Sequence, residues 1–277
     1  MIDFSYFSRL FDQQQVDLTA TEARWDRRAD EVSTFTVSDD DVAWQTVARH
    51  LELNGARVLE ISCGAGRHLE KFLRAGARVS GVEISGKMCQ YTRERLDRTG
   101  LDWRPDQLVH ASWEHIDLSG RDWHHAFDLV FVNMSPALSS TVMLKKALDA
   151  THRGLYIASH SHREDQLLAT LQDALGLEKR NPGQRYANDL YLTFNILYGW
   201  GYFPQLQFEE RTRTRDHQPE YILERYASWL WRDQAPDDAD RERLLQLLQG
   251  RADKDGNVRG RSRDVIGHLW LDKTMRK

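Results

Sequence analysis

The chain has 277 residues, 40% of them hydrophobic and 29% charged, with a formal net charge of −4. That length suits one large domain, or one domain with an added cap, and the balance is that of a globular chain with ample material for a core. It excludes a globally basic nucleic-acid binder, a disulfide scaffold (there are two cysteines, Cys63 and Cys89) and a chain with the roughly 20-residue apolar runs a bilayer needs.

Residues 1–35 read as polar helix, with Phe4, Phe7, Leu10 and Phe11 at helical spacing and an amphipathic stretch at Ala23–Ala29. Residues 1–37 are therefore expected to form a helical N-terminal cap. The start has no basic region and no long apolar run, so no signal peptide is expected, and the cytoplasm is the expected compartment. A second helix is predicted over 38–53, where Ser38 with Asp41 forms a capping-box-like start.

From Arg57 the pattern alternates. Strand 57–62 precedes helix 66–75, closed by Gly76, and strand 77–83 precedes helix 86–98, closed by Gly100. A short strand is expected at 107–111 and a buried one at 127–132, then helix 138–150, strand 154–159 and helix 163–175 ending at Gly176. A strand over 205–214, helices over 217–232 and 237–249, and a closing strand over 265–271 complete the chain. Strands separated by helices of this length predict an α/β fold. The expected architecture is a doubly wound, seven-stranded, mostly parallel sheet with a late antiparallel strand pair and helices on both faces. Residues 38–277 would form that main domain, carrying an aromatic insertion at about 185–203 and a helical insertion at about 217–250. The aromatic stretch is either a lid over a substrate or simple helix packing. Most of the nine tryptophans are expected to fill the core. Arg259, Arg261 and Arg263 read as a solvated edge.

The stretch with the clearest chemistry is 58–69. Val58, Leu59 and Ile61 make a buried strand, and Gly64-Ala65-Gly66 turns it into a helix N-terminus. Glycine permits a left-handed turn and close approach of a ligand, and free N–H groups at a helix start suit a carboxylate or phosphate. A dinucleotide site would need a third glycine three residues after Gly66, where Leu69 stands, and a phosphate-cradling loop would need Gly-Lys-Ser/Thr. Glu60 would repel a pyrophosphate and attract an ammonium.

On these residues the sequence resembles the class I S-adenosylmethionine-dependent methyltransferases. Their glycine motif, acid-x-Gly-x-Gly-x-Gly, stands here as Glu60-Ile61-Ser62-Cys63-Gly64-Ala65-Gly66, with Ser62 in the first glycine's place. Glu83 stands at the end of the next strand, where the family places an acid for the ribose hydroxyls. The resemblance spans about residues 40–270. It implies that Glu60 and the backbone of Ser62, Cys63, Gly64 and Gly66 hold the methionine end of S-adenosylmethionine. Glu83 would hold the ribose, and Ile84 and Met88 would pack against the adenine. The adenine edge would be met by Ser112, the backbone of Trp113, or Glu114. Asn133 would lie beneath the sulfonium and line the acceptor pocket, and S-adenosylhomocysteine would be the product.

Methyl transfer is an in-line displacement in which the cofactor carries the hard chemistry, so no catalytic triad is required. Asn133-Met134-Ser135-Pro136 matches the amino-methyltransferase motif at Asn133 alone and reads as a turn with Pro136 opening the next helix. His160 follows the fifth predicted strand and is either a general base or acceptor contact, or a surface-loop histidine; with His162 it has no accompanying metal-ligand cluster, so no metal is expected. A weakly charged aromatic lid suits a small, partly apolar acceptor. The expected function is methyl transfer to a small molecule, with no nucleic-acid or membrane partner, in a monomer or homodimer. The alternatives are an RNA or protein methyltransferase and a non-catalytic cofactor-binding module.

Overall fold

The computed structural model describes residues 4–13, 16–178, 189–231 and 236–277. Its sheet has seven strands: β1 (Arg57–Ile61), β2 (Arg78–Glu83), β3 (Leu108–His110), β4 (Phe127–Asn133), β5 (Thr151–Asp165), β6 (Gln205–His217) and β7 (Val258–Asp272). The order is β3-β2-β1-β4-β5-β7-β6, parallel from β3 to β5 with an antiparallel pair at the far end. The described helices are α1 (Ser5–Phe11), α2 (Leu18–Ser33), α3 (Val42–His50), α4 (Arg67–Arg74), α5 (Gly86–Asp97), α6 (Thr141–Ala150), α7 (Gln166–Leu175), α8 (Asp189–Gly199), α9 (Pro219–Leu230) and α10 (Asp238–Gln249). This is the Rossmann-like α/β fold expected from the alternation. Among the described residues no helix is long and apolar enough to cross a membrane.

Several boundaries differ from the sequence expectation, each for a local reason. The N-terminal segment is two helices, the second capped by Asp17, which accepts from Ala20 N at 2.9 Å. Asp41, not Ser38, caps α3 by accepting from Trp44 N at 3.0 Å. Ser140 caps α6, so Pro136 lies in the turn ahead of that helix and does not open it. Strands β5 and β7 outrun their apolar centres, extending into polar stretches that periodicity alone reads as loop.

Contacts divide the chain into two compact units, Met1–Ser159 with Asp189–Gln207 and Gly267–Lys277, and His160–Asn188 with Phe208–Ile266. The first unit holds a core of β1 and β4 side chains, buried on both faces as a central parallel strand must be. In it Leu190, Ile196 and Leu197 of α8 are buried, and the α8 aromatics Tyr191 and Tyr198 pack against Phe7 and Phe4 of the α1 region. Residues 185–188 of the predicted aromatic insertion lie outside the described residues. The second unit has its own core, with Leu168 and Leu171 of α7, Ile222 of α9, and Leu244 and Leu248 of α10.

Strand order reverses between β1 and β4, and open parallel sheets bind ligands beyond strand carboxyl ends at such a point. The register aligns these ends. Ile61 pairs with Val82 on one side and Val132 on the other. Ser62, Glu83 and Asn133 therefore emerge on one edge. Helix α2 packs over that edge: Trp25, Ala29 and Val32 cluster with Ala65, Met88 and Tyr91. Asp26 accepts from Ser85 Oγ at 2.5 Å and from Lys87 N at 3.3 Å, which sets a carboxylate at the positive N-terminus of α5.

Candidate cofactor site

The glycine turn has three left-handed residues: Ser62 at φ 59°, Gly64 at φ 56° and Gly66 at φ 75°. Ser62 stands where the motif has its first glycine and adopts glycine's conformation despite its Cβ. A Cβ on Gly66 would come within 2.8 Å of Thr92 Cγ2, so glycine there lets α5 close on the turn. Thr92 Oγ1 then donates to Gly64 O at 2.7 Å. A Cβ on Gly64 would meet nothing within 4 Å, so that corner is open to a ligand.

Two buried acids flank the turn. Glu60 is 3% exposed and its Oε2 has no hydrogen-bond partner among the described residues. Burial pushes its pKa well above the usual carboxylate value, against the pull of the Arg67 charge and the Leu69 backbone N–H. A buried, half-satisfied carboxylate is costly unless a cation completes it, and the ammonium of a methionine group is such a cation. Glu83 is better served: Gly64 N donates to Oε2 at 2.8 Å and Ser85 N to Oε1 at 2.9 Å. Burial raises its pKa while those backbone donors lower it. A carboxylate has about four lone-pair sites. Backbone donors from Gly64, Ser85 and Ile84 do not exhaust these sites, and what remains can accept from ribose hydroxyls. The residues present thus fit S-adenosylmethionine.

The other expected site residues are placed as follows. Ile84 is half-buried, and Met88 is buried against Ala29 and Ala65. Cys63 is buried, and burial first, then Glu83 and Glu60, push its thiol pKa well up, so this residue offers its backbone and not a thiolate. Ser112 caps a short turn, Trp113–His115. Trp113 itself is core, its indole N–H donating to Met143 O at 3.2 Å. Asn133 is the last residue of β4 and is half-buried. His160 is not in the loop beyond a strand ending at Ser159: β5 runs through it. It belongs to the second unit, with Nδ1 3.9 Å from Oδ1 of the buried Asp264, and burial takes its pKa down to about 4 despite that acid.

One residue at this edge escaped the sequence reading. His68 in the first turn of α4 is 2% exposed, with Nδ1 3.5 Å from Glu60 Oε1 and Nε2 3.4 Å from Asn133 Nδ2. The signal was available. His68, Leu69, Phe72 and Leu73 form the one buried face of α4, and a histidine among apolar residues on such a face needs polar partners.

The fold and the acid–glycine–acid arrangement define a class I, S-adenosylmethionine-binding α/β domain. The family described as a methyltransferase domain matches residues 58–156, the stretch that carries the glycine turn, Glu60 and Glu83. A tRNA U34 carboxymethyltransferase of Ectopseudomonas mendocina (strain ymp) is 42% identical over 53 residues, 18% of this chain and 16% of that protein. A ubiquinone biosynthesis O-methyltransferase of Xanthomonas euvesicatoria pv. vesicatoria (strain 85-10) is 31% identical over 93 residues, 33% of this chain and 38% of that protein. The chain thus matches well under half the length of these curated relatives. Among solved structures, magnesium protoporphyrin IX methyltransferase from Synechocystis PCC 6803 with bound SAH is 15% identical at a TM-score of 0.42, covering 96% of this chain and 93% of that one.

Proposed function

We propose that the chain is a cytoplasmic enzyme that transfers the methyl group of S-adenosylmethionine to a small-molecule acceptor. The observation that carries this is the buried Glu60 carboxylate at one side of the left-handed turn, its Oε2 without a hydrogen-bond partner among the described residues, with Glu83 pinned by backbone donors at the other. In this reading Glu60 and the backbone of Ser62 to Gly66 hold the methionine end, and Glu83 holds the ribose. Ile84 and Met88 flank the adenine, Ser112 and the Trp113 backbone take its edge, and Asn133 lines the acceptor pocket. When bound, the cofactor supplies a methyl group activated by the adjacent sulfonium. What the protein adds is position, exclusion of water and a matched charge.

The arginines of the late strands support a small acceptor over a polyanion. Arg211 pairs with Glu209, Arg213 with Asp264, Arg259 with Asp216 and Arg263 with Glu210. Charges neutralised within the protein leave less for phosphates. A second reading, an RNA acceptor, is favoured by the stretch shared with the tRNA-modifying relative. His160 is offered as a base or acceptor contact. If it has that role, His160→Ala removes a rate-controlling ionisation near pH 4 from the pH profile; an unchanged profile removes the role.

Calorimetry with S-adenosylhomocysteine tests the core of the proposal. Wild type is expected to bind, and Glu83→Ala to bind about 10- to 100-fold more weakly, the loss of one or two charge-assisted hydrogen bonds. Absent binding by wild type, or equal affinity of the variant, overturns the assignment. Labelled-methyl transfer into a cell extract, separated by size and repeated at rising salt, decides the acceptor class: a steep salt dependence on a large product favours RNA.

A further inference from the structure

Three polar side chains form a chain beneath the glycine turn. Glu60 is 3% and His68 2% exposed, and Asn133 at the end of β4 completes the line. His68 Nδ1 lies 3.5 Å from Glu60 Oε1, and Nε2 lies 3.4 Å from Asn133 Nδ2. An amide nitrogen has only hydrogens to offer, so Nε2 accepts and the ring proton sits on Nδ1, toward Glu60. The reverse amide orientation would require a proton on Nε2 and would leave Nδ1 bare toward Glu60, with Asp41 Oδ1 4.0 Å from Nε2. Tautomer and amide orientation are thus linked, and with Nδ2 turned to the ring as it is here the proton belongs on Nδ1.

We propose that His68 is a positioning residue, one that holds the Glu60 carboxylate for the cofactor's ammonium with one ring nitrogen and orients the Asn133 amide with the other. The proposal rests on the methyltransferase reading above, and it couples the cofactor end of the site to the acceptor end. Asn133 Oδ1 is then the atom that the imidazole does not engage. An amide oxygen recognises a donor, so the acceptor class this geometry favours is an N–H or O–H nucleophile. The ring is well held: it tilts over Phe131 with centroids 5.0 Å apart, and Phe131 in turn meets Phe72 edge-on. Burial takes the His68 pKa down to about 3, with the Arg67 and Lys71 charges acting the same way and Asp41 opposing, so the ring stays neutral. A neutral ring has one donor and one acceptor, which is what a two-sided relay requires.

Two substitutions separate the two contacts. The amide nitrogen of His68→Asn falls near the position of Nδ1, and the terminal amide of His68→Gln near that of Nε2. In wild type, ¹⁵N NMR of the His68 ring is expected to show a protonated Nδ1 and a bare Nε2 from pH 5 to 8. His68→Asn is expected to keep S-adenosylhomocysteine affinity within about twofold by calorimetry, while the Asn133 side-chain NH₂ signal moves. His68→Gln is expected to keep that NH₂ signal and to weaken S-adenosylhomocysteine by about fivefold or more. A wild-type ring protonated on Nε2, or variants whose affinity and Asn133 signal change together or not at all, overturns the proposal. Wild type that binds no S-adenosylhomocysteine overturns the methyltransferase reading instead, while the tautomer measurement still judges the relay.

Discussion

Replacing Glu60 by Gln sets the stability of the protein against its proposed use. The carboxylate is 3% exposed, and Oε2 has no hydrogen-bond partner among the described residues. Leaving a buried group unsatisfied costs about 1–3 kcal/mol, and more when it is charged. A pKa raised in the folded state means that folding favours the protonated acid. Its contribution is therefore fully present below pH 4.5, the ordinary value, and is lost as pH rises through the folded-state pKa. Glutamine mimics the protonated acid at every pH. Without cofactor, Glu60→Gln is thus expected to melt with wild type near pH 4 and above it at neutral pH. The gap should be about 1–3 kcal/mol, or a few degrees at the roughly 2–4 °C per kcal/mol found for large domains. The same change removes the proposed partner of the cofactor's ammonium, at about 2 kcal/mol or more, so S-adenosylhomocysteine should bind about 30-fold more weakly. Thermal melts across pH 4–8 and calorimetry at pH 7.5 make the comparison. A variant that melts below wild type at neutral pH while binding as tightly would refute the argument that Glu60 is an acid held in wait for a cation.

Ser62→Gly should relieve a left-handed residue that carries a Cβ, raising stability by up to about 1 kcal/mol after glycine's entropy is set against the strain, with S-adenosylhomocysteine affinity unchanged or tighter. A lower melting midpoint would mean that the serine hydroxyl is needed in the turn. The pH dependence of stability should carry a histidine signature. The folded-state pKa of His68, about 3, lies below the unfolded value of about 6.5, so its contribution is full above pH 6.5 and is lost as pH falls through that window. Wild type should lose more stability than His68→Asn between pH 6.5 and 4.5, and equal slopes in denaturant melts would contradict the buried, neutral ring.

The parts of the site legible in the sequence are those written in consecutive residues. The strand, the left-handed turn and the helix start are local, so Val58 to Gly66 announces them, and Glu83 follows from the length of one helix and one strand. The parts that were not legible depend on neighbours distant in sequence. Strand β5 continues through Ser159, His160, Ser161, His162 and Arg163 because a sheet can hold polar residues that propensity assigns to a loop. Ser38 and Asp41 are both good caps, and only the path of the chain into α3 chooses between them. The Asn133–His68 contact joins residues 65 apart, and nothing local to either names the other. Trp113 sits in the loop expected to meet the adenine, yet its ring turns inward to Met143 and under Lys146 Nζ, a direction that a loop position does not specify.

Arg95 gives the N-terminal helix a further significance. It is 9% exposed on α5, with Nη2 donating to Ser33 O at 2.6 Å and Phe35 O at 3.0 Å, and Nη1 to Glu70 at 3.0 Å. One guanidinium therefore ties the end of α2 to the helix that follows the glycine turn. The cap is not a detachable module. A chain shortened past it would uncover Ala65 and Met88 and strip two carbonyl acceptors from a buried cation, a loss that breaking a buried charge makes severe. In the descent of such proteins, Arg95 and the N-terminal helix are expected to be inherited together or replaced together.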